Sequence, residues 1–173
     1  AYEIPKRDWS SDVCSSDLIP TLIEQGYLSP LVTGDASTTV DTSGIGRNAG
    51  EFVLRDLELA ADVASVTERV ADDVAAAIRE GGRTSALLFG VGVGHAAHLR
   101  DAMIERGISC ELIVGETEQI VRQAVIAKFR RRELTAIASC DVLTTGFDAP
   151  VVDVLAVVRP TCSASLWVQM VGR

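Results

Sequence analysis

From residue 84 onward the apolar positions switch repeatedly between short compact runs and a helical period. Residues 85–89, SALLF, form a run too short for a helix and read as a buried strand. GVGVGHAAHL then opens an amphipathic helix that continues through Ile104 and stops at Arg106-Gly107. Residues 110–114 repeat the strand pattern. Gly115 leads into a helix over residues 116–132, with Ile120, Val121, Val125 and Phe129 on one broad face. Residues 135–139 form a third buried strand. A fourth, residues 151–158, is interrupted only by Asp153, and Ser163 or Ser165 can then cap a helix carrying Trp167, Gln169 and Met170. Strands alternating with helices imply crossover connections and a parallel α/β sheet.

Upstream the pattern is looser. Val63, Val66, Val70, Val74, Ala77 and Ile78 fall at three- and four-residue steps and predict a helix over residues 62–79, ended by Gly81-Gly82. Residues 33–50 are rich in Gly, Ser, Thr and Asp, which predicts a turn-rich entry with one edge strand near residues 38–42. Residues 8–18, DWSSDVCSSDL, show neither period and repeat SSD at a five-residue offset. Residues 33–173 are therefore expected to form one α/β domain.

The carboxyl ends of the last strands carry the candidate chemistry. In open parallel sheets ligands bind at that end. After strand 135–139, residues 141–146 supply a carboxylate, hydroxyls and a glycine. Gly146 permits close backbone approach, and Asp148 is held extended by the following Ala-Pro150, which suits a carboxylate presented to a ribose hydroxyl.

These elements, ASCDVLTTGFDAP, then RPTCSAS, then QMVGR, resemble in order and spacing motifs V and VI of the second motor lobe of superfamily 2 DEAD/DEAH-box helicases, near the DNA-repair and type III restriction-like branch. The resemblance extends upstream: an LLF strand with His-Ala as motif IV, a strand ending in glycine, then ExxxR (Glu118, Arg122) and FRRRE. It covers about residues 84–173, with a weaker match at GYLSPLV, residues 26–32. It implies a three-layer RecA-like α/β domain of the P-loop NTPase type with a mainly parallel sheet. It further implies ATP contacts from Gly146, Asp148, Gln169 and Arg173, with Arg173 as the catalytic guanidinium near the γ-phosphate. Gly90, Thr144 and Thr145 are implied as nucleic-acid contacts, with DNA favoured over RNA. The family motif reads QxxGRxxR and this sequence stops at Arg173, so a fragment incomplete at its C-terminus is expected. A threonine is common in the family where Cys140 stands. No GxxxxGK[ST] and no DExx box occurs, so the phosphate-cradling lysine and the Mg²⁺-binding acid are expected in an absent first lobe, and the piece alone is expected not to hydrolyse ATP. Residues 1–32 then resemble the connector between lobes, interrupted at 8–18 by what resembles a translated sequencing adapter.

A rival reading of GVGVG is a Rossmann-type turn binding a dinucleotide or S-adenosylmethionine. GxGxxG requires a glycine where His95 or Ala97 stands, depending on register, and the second strand ends in Gly115 rather than an acid. His95 and His98 lie three apart without a carboxylate or cysteine at metal-ligand spacing, and are expected to be surface or capping residues. Lys128, Arg130, Arg131 and Arg132 read as a solvated helix end complementing the macrodipole.

Composition narrows the rest. Cys14, Cys110, Cys140 and Cys162 form no CxxC and lie in separate elements, as expected of reduced thiols in a cytoplasmic protein. No run of about 18 apolar residues occurs, so no membrane partner is expected. The net charge of -8 opposes broad nucleic-acid binding. A motor lobe, however, grips a strand with a few backbone amides, hydroxyls and local cations.

Overall fold

In the computed structural model the described residues are 21, 23–25, 32–34, 36–48, 51–143 and 151–171. The adapter-like string at 8–18 and most of the 26–32 match lie outside them. Of the unit Ala1–Thr33 the described part includes a helical turn, in which Gln25 N–H donates to the Thr21 carbonyl at 3.0 Å.

The unit Gly34–Val171 carries all the remaining elements. Its centre is a four-stranded parallel sheet of β3 (Ala86–Phe89), β4 (Cys110–Ile113), β5 (Ala136–Ser139) and β6 (Val154–Val157), in the order β4-β5-β3-β6. Residues 86, 88, 136 and 138 point to one face and 87, 89 and 137 to the other, as the two-residue strand period requires. The first face packs against α2 (Ala64–Arg79) through Ala71, Val74 and Ala75, and against α3 (Val93–Glu105) through Leu99, Ala102 and Met103. The second packs against α4 (Gln119–Arg130) through Val125 and Phe129, and against α5 (Ala164–Val171) through Met170. The result is a three-layer α/β domain with a parallel sheet, the fold class expected from the sequence.

Asp153 explains why a carboxylate interrupts the last apolar run. It stands just before β6, where its oxygens accept from Thr84 N–H at 2.9 Å, Ser85 N–H at 2.9 Å and the Thr84 hydroxyl at 3.0 Å. It thus ties the start of β3 to its neighbour. Arg106 joins α2 to the end of α3 by pairing with Asp72 at 2.7 Å and Glu68 at 2.6 Å. Gly107 follows at φ 72, the left-handed conformation that ends a helix and favours glycine.

Four features differ from the sequence pattern. Residues 38–42 form no strand; a small antiparallel hairpin of β1 (Arg47–Asn48) and β2 (Glu51–Phe52) stands nearby in sequence. An extra helix, α1 (Leu54–Ala61), precedes α2 and buries Leu57 and Ala61 against Val91. The helix expected over 116–132 begins only at Gln119. Its supposed apolar face is incomplete: Ile120 is 80% exposed and Val121 half exposed, because the sheet covers only the Val125–Phe129 end. Last, of the two histidines expected at the surface or as caps, His98 is exposed and pairs with Asp62 at 2.8 Å, whereas His95 is fully buried and accepts the Val91 N–H just ahead of α3.

Candidate functional site

The carboxyl ends of β5, β3 and β6 lie side by side because those strands are neighbours in register. Gly90 leaves β3 with its N–H donating to the Ser139 carbonyl at 2.9 Å. A Cβ at Gly90 would lie 2.9 Å from the Ala96 amide nitrogen, so only glycine lets the strand end meet the first turn of α3 this closely. Val91 N–H then donates to His95 Nδ1 at 3.3 Å. That contact requires an unprotonated Nδ1. Burial holds the His95 pKa below its ordinary value, with the Asp62 carboxylate pulling the other way. Its Nε2 is buried without a hydrogen-bond partner among the described residues. The Glu58 carboxylate of α1 packs so closely on Gly92 that a Cβ there would lie 2.0 Å from its Oε1.

Beside this turn, the segment after β5 is held at several points. Cys140 Sγ contacts the Val91 carbonyl at 3.4 Å and Asp141 Oδ2 at 3.5 Å. Burial pushes the Cys140 thiol up to about 12, with the Asp141 carboxylate adding to the shift, so it stays protonated and available as a donor. Asp141 also pairs with Arg159 Nη1. Asp141 and Leu143 adopt φ 55 and φ 63, a left-handed region that side-chain-bearing residues rarely occupy. Ser139 Oγ donates to the Val142 carbonyl at 2.9 Å, and Leu143 is buried against the sheet.

After β6, Val158 N–H donates to the Phe89 carbonyl at 3.0 Å. The Glu51 carboxylate accepts from the Thr161 hydroxyl at 3.2 Å and from Cys162 N–H at 3.2 Å. Ser163 Oγ accepts from Leu166 N–H at 3.2 Å, so Ser163 and not Ser165 caps α5. On α5, Met170 turns into the core and Gln169 faces outward.

Of the residues singled out from sequence, Gly90 falls at this end of the sheet, and Gln169 is exposed on α5. Thr144, Thr145, Gly146, Asp148 and Arg173 lie outside the described residues. Arg122 of ExxxR serves the scaffold: its Nη2 donates to the Val114 carbonyl at 2.9 Å and so fastens α4 to the end of β4. Arg159 entered the sequence reading only as the first residue of RPTCSAS, without a role of its own, and Glu51 and Glu58 did not enter it. Arg159 could have been flagged as the cation that ends an apolar strand, but Glu51 and Glu58 act across the tertiary fold and leave no local pattern.

Residues 71–173 match the family described as helicase conserved C-terminal domain, and the chain belongs to that family. It is 29% identical over 152 residues to "Putative ATP-dependent helicase IRC3" of Saccharomyces cerevisiae, a match covering 88% of this chain and 22% of the relative. It is 33% identical over 91 residues to "Putative mitochondrial ATP-dependent helicase irc3" of Schizosaccharomyces pombe, covering 53% of this chain and 15% of that one. The chain thus spans about a fifth or less of the length of these relatives. Domain 2 of the DEAD-box helicase Mss116p, solved bound to an RNA duplex, shares the fold with TM-score 0.54 and 17% identity, over 62% of this chain and 43% of that one. Family membership decides the reading of the GVGVG turn in favour of a helicase lobe.

Proposed function

We propose that this chain is the second motor lobe of an ATP-dependent helicase or translocase, coupling ATP hydrolysis in the whole protein to movement along nucleic acid. The observation that carries the reading is the side-by-side placement of the Gly90 turn, the Cys140–Leu143 segment and the lead-in to α5 at the carboxyl ends of three neighbouring strands. One cleft edge can then offer a backbone turn to a nucleic-acid strand and an outward α5 side chain to a nucleotide.

In this reading Gln169, with Gly146, Asp148 and Arg173, meets ATP from one side, while Gly90, Thr144 and Thr145 meet the strand. Bound between lobes, ATP supplies the phosphoryl group whose hydrolysis changes lobe spacing. Arg173 would stabilise charge on that group. In the same reading the acid that holds Mg²⁺ belongs to the first lobe. DNA is favoured over RNA.

The direct test uses the chain as it is. It should show no ATPase above background with or without single-stranded DNA, and calorimetry should find ATP bound only weakly. Micromolar binding of NAD or S-adenosylmethionine would overturn the reading, because a lobe lacking its partner has no self-sufficient phosphate cradle.

A further inference from the structure

Four residues link the strand ends into one chain of contacts: the Val91 carbonyl, the Cys140 thiol, the Asp141 carboxylate and the Arg159 guanidinium. Two features set the Asp141–Arg159 pair apart from an ordinary surface salt bridge. The Arg159 side chain is only 17% exposed, so its charge is largely withdrawn from water and depends on this partner. The backbone at Asp141 is left-handed, a conformation that persists only where surrounding contacts hold it. Such contacts retain a geometry. Here the geometry retained is that of the turn at Gly90 and Val91, which Cys140 grips by its carbonyl.

We propose that Arg159 is a positioning residue for nucleic-acid binding: acting through Asp141 and Cys140, it fixes the Gly90–Val91 turn from the segment that leads into α5. The proposal rests on the helicase-lobe reading. It differs in sign from the simpler idea that Arg159 is itself a phosphate-binding cation. If Arg159 met phosphate directly, removing the competing Asp141 carboxylate would free it and tighten binding. If Arg159 acts by position, removing either partner loosens the turn and weakens binding.

Fluorescence anisotropy of the full chain with short labelled single-stranded DNA and RNA oligonucleotides, repeated over a range of salt, separates these outcomes. Asp141→Asn should weaken binding about tenfold even though it removes a negative charge, and Arg159→Gln should do the same. The double variant should be no weaker than either single one, because both break one linkage. Arg159→Lys keeps the charge but loses the fork. It should still weaken binding. Arg159→Gln should leave the salt slope unchanged, whereas loss of a direct phosphate contact lowers that slope by about 1. Cys140→Ala should weaken binding, and Cys140→Ser, which keeps a donor, should recover most of the loss. Melting temperatures of the same samples confirm that each variant is folded. Unchanged or tighter binding by folded Asp141→Asn, or additive losses in the double variant, would overturn the proposal while leaving the helicase reading in place. Failure of the unmodified chain to bind either oligonucleotide would overturn both.

Discussion

Gly90 and Ala96 pack so closely that a methyl group on Gly90 would stand 2.9 Å from the Ala96 nitrogen and 3.0 Å from its Cα. The nearest atoms are backbone in the first turn of α3, which cannot rotate aside. Gly90→Ala should therefore destabilise the domain by roughly 1–3 kcal/mol, the range for inserted methyl groups in packed sites. It should also weaken oligonucleotide binding. Urea unfolding and anisotropy on the same samples check this, and a fully stable Gly90→Ala chain would show that the turn has slack.

At the opposite end of the sheet, Asp153→Ala leaves the Thr84 and Ser85 amides without their acceptor. A loss of about 1–3 kcal/mol is expected, as for stranded donors. Asp153→Asn should retain part of that stability, because its carbonyl oxygen can still accept. Denaturant midpoints of the two variants should rank in that order.

His95 makes stability depend on pH. Its folded pKa lies below the ordinary 6.5, so between those values the unfolded chain binds a proton that the folded chain does not. Its stabilising contribution is full above pH 6.5, is lost as pH falls from there toward the folded value, and levels off below it. His95→Gln keeps an acceptor for Val91 N–H without titrating. Its melting temperature should fall less than that of the unmodified chain when both are taken from pH 7.5 to 5.5.

The described cysteines should react unequally. Cys110 and Cys140 are buried, with thiols pushed up to about 12, whereas Cys162 is exposed. Thiolate is the reactive form. Iodoacetamide at pH 8 should label Cys162 in the folded chain and reach Cys110 and Cys140 only after denaturation, as peptide mass mapping would show.

Much of this architecture was legible because the strands are short apolar runs bounded by glycine or polar residues, and each begins or ends within a few residues of the pattern. Val154–Val157, for instance, is the predicted run 151–158 shortened at both ends. α1 was missed although Leu54, Leu57 and Ala61 carry a helical step, because Val53 before it offers no side-chain cap. Ile120 misled for the opposite reason: periodicity reports which residues share a face, not how much of that face another layer covers. At the candidate site, short motifs drew the eye to Gly90 and Gln169 and to nothing that holds the strand ends together. The Cys140–Val91 and Asp141–Arg159 contacts join residues from different strand ends, and no local spacing announces them.

The proposed role of Arg173 offers the most direct test of the motor-lobe account, in a protein carrying both lobes. Steady-state ATPase with saturating single-stranded DNA would compare Arg173→Ala and Arg173→Lys with the unmodified enzyme. Loss of a guanidinium that stabilises the transferring γ-phosphoryl should lower kcat by at least ~10²-fold with little change in ATP affinity, and lysine should not restore it. An Arg173→Ala enzyme with unchanged kcat would contradict the account.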